Sequence, residues 1–188
     1  MIGYHAPAMF ADWENFYLIV GPSAAALIGL MFVVVTLTAG RDRDQTERGK
    51  HLYTSPIVWH LGVVVVLSGA AVAPTIHPKL FGLFSAGLAL IGIAAGVRSA
   101  VGIHRAQYTG PDSMFDMWWY GIIPALAYVG LATASIAMLA GASWSESAIA
   151  AALMALLLVS IHAEWDLVTF LAAIAEPPAK RASPRRKG

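Results

Sequence analysis

The feature that most constrains this chain is a set of five apolar runs, residues 13–39, 56–73, 80–101, 118–140 and 147–174, joined by short polar connections. A stretch of about 20 apolar residues crosses the ~30 Å hydrocarbon core as a helix, a conformation that satisfies every backbone N–H and C=O internally. The expected fold class is therefore all-α, a polytopic membrane bundle of five transmembrane helices. Composition agrees. With 58% hydrophobic and only 12% charged residues, the 188-residue chain is too apolar for a soluble domain of its length. It divides into a transmembrane domain at 1–176 and a basic, proline-rich tail at 177–188. The tail is expected to be disordered and drawn to anionic headgroups.

Orientation follows from the basic residues. All but one of the 12 Lys and Arg fall on one side: Arg41, Arg43, Arg48 and Lys50 in the first loop, Arg98 and Arg105 at the end of the third run, and five in the tail. Lys79 is the exception. The positive-inside rule then puts the N-terminus outside and the C-terminus in the cytoplasm. The first segment has no Lys or Arg ahead of its apolar run, so the first span is expected to be retained and not cleaved as a signal peptide. The localisation expected is a cell membrane, multi-pass, of the bacterial inner-membrane type.

Ser55 before Pro56 makes a helix start, with the proline placed where its missing N–H is harmless, and Pro74 ends the run. The connection "PTIHPK" allows only a tight hairpin, which predicts that the second and third spans pack together.

Against this background the stretch "LLLVSIHAEWDLVTF", residues 156–170, is anomalous. A charged side chain at mid-membrane costs roughly 3 kcal/mol even on lenient scales, and this span carries His162, Glu164 and Asp166. Tryptophans favour the membrane interface. With the orientation above, Trp13 and Trp144 mark the outer boundary, and Trp59, Trp118, Trp119 and Trp165 the inner one. The ionisable groups then collect in one stratum near the inner leaflet: His60, Arg98, His104, His162, Glu164 and Asp166, joined by Asp116. Arg98 is expected to pair with Glu164 or Asp166, since a lone guanidinium at this level is expensive. The fifth run also extends well beyond Trp165. At 1.5 Å per residue it is ~42 Å long, so residues 167–174 need cover, and a subunit of an oligomer is the expected cover.

At 100° per residue His162, Asp166 and Thr169 share one face of the fifth span, and Ser160 and Glu164 the opposite face. The His162/Asp166 spacing suits a pair in which the carboxylate orients the imidazole, as in a proton relay, a metal's outer shell or a plain structural contact. In the third span Ser85, Ala89, Gly92, Gly96 and Ser99 form a stripe of small residues, repeated in the first by Gly21, Ala25 and Gly29. Such stripes either let helix backbones approach closely or line a pore, and close packing is the commoner use. Pro22 and Pro124 would free the carbonyls of Leu18 and Tyr120 if their helices run on through them. Alternatively Pro22 sits in the first turn of a shorter span preceded by an interfacial helix.

Motifs for soluble-type catalysis are missing: there is no phosphate-cradling glycine loop, no GxSxG and no HExxH. The chain has no cysteine, which removes thiolate metal sites and disulfides. No cofactor and no enzymatic activity are expected, and the near-zero net charge gives no global field for nucleic acid. Two histidines on spans, His60 and His162, could ligate one haem, which makes a haem or metal redox subunit the third reading. The first reading is an oligomeric channel or transport protein for small ions or protons. Its vestibule or gate would be Arg98, His162, Glu164, Asp166 and His60, and its packing or pore face Gly21, Ala25, Gly29, Ser85, Ala89, Gly92 and Gly96. The second is a non-catalytic accessory or scaffold subunit of a larger membrane complex. In each, the lipid bilayer is the first partner and further copies of the chain or other subunits the second.

Overall fold

A computed structural model of the protein describes residues 10–38, 55–74, 76–105 and 118–175. The basic segment 41–50, Asp116 and the tail at 177–188, which carry much of the orientation argument, lie outside them. Among the described residues the chain is helical and contains no strand. The helices are α1 (Glu14–Thr38), α2 (Ser55–Ala71), α3 (Pro78–Arg105), α4 (Ile123–Leu139, preceded by a π-helical turn over Trp118–Ile122) and α5 (Ser145–Ala175). Each apolar run of the sequence is occupied by one of them. Four stretches are long and apolar enough to cross a membrane: Ala11–Thr36, Pro78–Ser99, Trp118–Leu139 and Ser145–Thr169. The helix α2 is apolar but shorter.

The ends of the helices follow local chemistry. Gly141, with φ 76°, closes α4: its N–H reaches the Met138 carbonyl at 3.0 Å, and the next N–H, of Ala142, reaches Ala137 at 2.9 Å. This is the Schellman arrangement, in which a left-handed glycine satisfies the last free carbonyls. Pro22 lies inside α1, which runs through it without a break, so the shorter span with a separate interfacial helix is not what forms. Pro124 is handled differently. The π-helical turn immediately before it reaches one residue further along the chain than an α-turn, so carbonyls that would meet the missing N–H can find the following one.

The bundle is organised around α5, which contacts α1, α2 and α4. Helix α3 stands at the edge and packs chiefly on α4, with only a light contact to α2. The short hairpin therefore does not make α2 and α3 close neighbours. The reason is the small-residue stripe of α3, which mates with α4: a Cβ on Gly92 would come within 2.5 Å of the Tyr128 ring, and one on Gly96 within 3.1 Å of Ala125 Cβ. Close backbone approach gains the dispersion contacts that hold membrane helices together, where lipid removes the usual hydrophobic driving force. On the other side, a Cβ on Gly21 would lie 2.9 Å from Ser68 Cβ, which marks the tight crossing of α1 and α2.

An aromatic cluster pins one end of the bundle. Phe10 adopts φ 65°, a conformation uncommon for a bulky residue, and its buried ring packs edge-on against Tyr17 at 5.1 Å and Phe81 at 5.0 Å. These contacts bring the beginnings of α1 and α3 to the same level.

Candidate functional site

Among the described residues, three places inside the bundle carry contacts between polar side chains. Near its middle, the hydroxyls of Ser85 on α3 and Ser135 on α4 share a hydrogen bond of 2.7 Å across the helix contact, and each also has an acceptor on its own helix, the Gly82 carbonyl at 3.2 Å from Ser85 and the Leu131 carbonyl at 2.7 Å from Ser135. Both serines are fully buried. Ala89, one turn on, is buried in the same seam. Within one copy, Ser85, Ala89, Gly92 and Gly96 thus form a face packed against α4. On α1 only Gly21 is used in this way; Ala25 and Gly29 are exposed.

The second place joins α2 to α4. His60 is buried, and its Nδ1 lies 2.9 Å from the Tyr128 hydroxyl, with ring centroids 5.4 Å apart. When the phenol donates, the imidazole carries its proton on Nε2. Gly92 is the residue that gives the Tyr128 ring its room, so α3, α4 and α2 are tied through one side chain.

The third place is on the late part of α5. His162 Nε2 lies 3.4 Å from Asp166 Oδ2, the i,i+4 pair expected from the spacing. The Tyr120 hydroxyl donates to the same carboxylate oxygen at 2.9 Å, and the Trp119 ring stacks on the imidazole at 3.9 Å and 35°. Both aromatic residues come from the π-helical turn, which turns them toward α5. Thr169, on the same face, donates to the carbonyls of Trp165 and Asp166 at 3.0 Å and does not join the cluster.

Glu164 faces elsewhere. It lines a groove of ≈ 380 Å³ between α1 and α5, whose other walls are apolar and include Leu27, Leu30, Val33, Ile161 and Val168. Its Oε1 is inaccessible and has no hydrogen-bond partner. The opposition of Glu164 to the His162/Asp166 face has a physical consequence: one carboxylate is met by Tyr120 and His162 on a single oxygen, and the other is set in an apolar wall.

Arg98 does not join either carboxylate. It is exposed on α3, and among the described residues no carboxylate lies within 4.0 Å of it. The expected Arg98 pairing with Glu164 or Asp166 inside one chain therefore does not form, because α4 stands between α3 and α5 and the stripe at Gly92 and Gly96 turns Arg98 away from it. The groups do share a level. Gly96 meets Gly121 and Ala125, and Trp119 meets His162, so Arg98, Trp119 and the His162–Asp166 segment lie in one layer of the bundle. The side chain of His104 and all of Asp116 fall outside the described residues.

Sequence reasoning missed Tyr120, Tyr128 and Trp119 as members of these clusters. A signal existed for Tyr128: a phenol in the middle of an apolar run needs a partner for its hydroxyl, and a buried histidine is one of the few available. Among the described residues no group of three or more His, Asp or Glu is arranged to hold a metal ion. Comparison with known protein families, curated proteins and solved structures finds no match.

Proposed function

We propose that this protein is an oligomeric, non-enzymatic membrane protein that moves protons or small cations, threading the bilayer five times with its N-terminus outside and its C-terminal end in the cytoplasm. The observation that carries the reading is Glu164: a carboxyl oxygen without a partner, held in an apolar groove that opens to the side of the protomer. Ionisable groups within membrane helices are costly and are retained mainly where they serve a pathway for charge. Five spans are supported by the Phe10–Phe81 contact. It puts the starts of α1 and α3 at one level, so the chain has to cross back between them, and α2 is the only element described in that interval.

With the α3 stripe closed by α4, the path is assigned to the junction between copies and not to the interior of one. The engaged cluster of Tyr120, His162 and Asp166 forms the inner wall beside it. Reconstituted into liposomes, the protein should pass protons or monovalent cations, and Glu164→Gln should cut the rate by about tenfold or more while leaving the helical content unchanged. Absence of flux across a range of ions and voltages would sink this reading.

An accessory or scaffold role is the second reading. It is favoured by the interior pairing of Ser85 with Ser135 and of His60 with Tyr128, contacts that fasten helices together. Lack of flux together with stable capture in a larger membrane complex would select it.

A further inference from the structure

We propose that Arg98 of one copy inserts into the Glu164 groove of the next, so that copies associate head to tail and close into a ring. This rests on the oligomeric reading above and names the contact that makes the oligomer.

Three observations carry it. The first is charge complementarity. Arg98 projects from an exposed apolar face of α3 with Val97 and Val101 beside it, and has no carboxylate partner among the described residues. Glu164 lines an apolar groove, and its Oε1, shielded within the single copy, has no hydrogen-bond partner, so a small turn of the side chain would bring it to a donor entering the groove. An arginine's planar fork of donors suits a carboxylate, and its stem suits apolar walls. The groove, at ≈ 380 Å³, is more than ten times the ~30 Å³ share of one water, room enough for a long side chain.

The second observation is level. Arg98 lies about 30 Å along α3 from Pro78, and Glu164 about 29 Å along α5 from Ser145, at 1.5 Å per residue. Both helices run in the same direction, from the level of the aromatic cluster toward the level of Trp119. Copies inserted with one orientation therefore present the two groups at matching depth without any flip or sliding.

The third is placement. Helix α3 stands at one edge of the bundle, against α4, while the groove is formed on another side by α1 and α5. The two surfaces are different, so their contact is heterologous, and a heterologous contact in the plane of a membrane generates a ring where the rotation between copies closes. The groove is open to such a neighbour: Leu30, Val33 and Val168 on its walls are all exposed.

The absence of native cysteine makes the test direct. Val101→Cys and Val168→Cys lie one turn beyond Arg98 and Glu164 and leave both charges in place. A short thiol-to-thiol cross-linker should join the two single variants when they are co-expressed, and neither alone. The double-cysteine variant should give a ladder ending at the ring size. Adding Arg98→Glu should reduce the ladder by about tenfold, because like charges then meet in an apolar setting. Adding Glu164→Arg to that variant should restore it, which separates loss of contact from loss of folding. Cross-linking of Val101→Cys copies to one another, or no product from the mixed copies, overturns the proposal. A ladder formed by protein that conducts nothing upholds this contact and defeats the transport reading; flux from protein that is monomeric overturns this contact and the path at the junction with it, leaving only transport by a single copy.

Discussion

Tyr128 shows how much a single side chain decides in a bundle held by packing. Its ring fills the space left by Gly92, and its hydroxyl meets His60. Gly92→Ala would put a methyl group 2.5 Å from that ring, and the seam has nowhere to yield. The expected cost is about 1–3 kcal/mol, as for other overpacked sites, seen as a lower Tm in detergent. Gly87, on the same helix, has open space around it. Gly87→Ala should therefore be neutral or slightly stabilising, and an equal loss at both positions would show that the Tyr128 contact is not the cause. Tyr128→Phe leaves His60 Nδ1 buried without a partner. It should lower stability by about 1–3 kcal/mol, more than the net worth of the bond itself, because the desolvated nitrogen has nothing to replace the phenol.

Among the elements, the π-helical turn before α4 has the widest consequences. It absorbs Pro124 and at the same time delivers Trp119 onto His162 and Tyr120 onto Asp166. Pro124→Ala removes the reason for the wider turn, since an ordinary α-helical N–H becomes available. The expected result is a helix that tightens locally and a cluster that loses its geometry. A changed near-ultraviolet or fluorescence signal from Trp119, with unchanged helical content, would record it. A signal identical to that of the parent chain would mean that packing against α5, and not the proline, holds the turn. The apolar run at 118–140 disclosed that a helix would form; the change of register within it depends on how a missing donor is accommodated, which periodicity does not reveal.

For the whole molecule, the decisive feature is the order of the helices around α5, with α3 at one edge and the α1/α5 groove on another side. That order separates Arg98 from Glu164 within a chain, and in the contact proposed above the two meet between chains. Filling the groove tests the consequence without touching either charge. Val33→Trp should abolish the oligomer in native mass spectrometry while the protomer keeps its helical content; persistence of the oligomer would locate the interface elsewhere. Trp165, 68% exposed on that groove, would be covered by the neighbouring copy in the proposed contact.

By itself the sequence determined that the chain is helical and apolar enough to cross a membrane, because run length and backbone hydrogen bonding leave a membrane segment few choices. It also determined which side chains share a face of α5, since 100° per residue is a property of the helix and not of its neighbours. Only the tertiary structure decided which helix each face meets. The stripe of α3 could have served α2 or a pore, and it went to α4 because Tyr128 and Ala125 fit the space that its glycines leave. Neighbour choice in a bundle rests on shape matching spread over many small contacts, and no single residue in a run of leucines and alanines announces it.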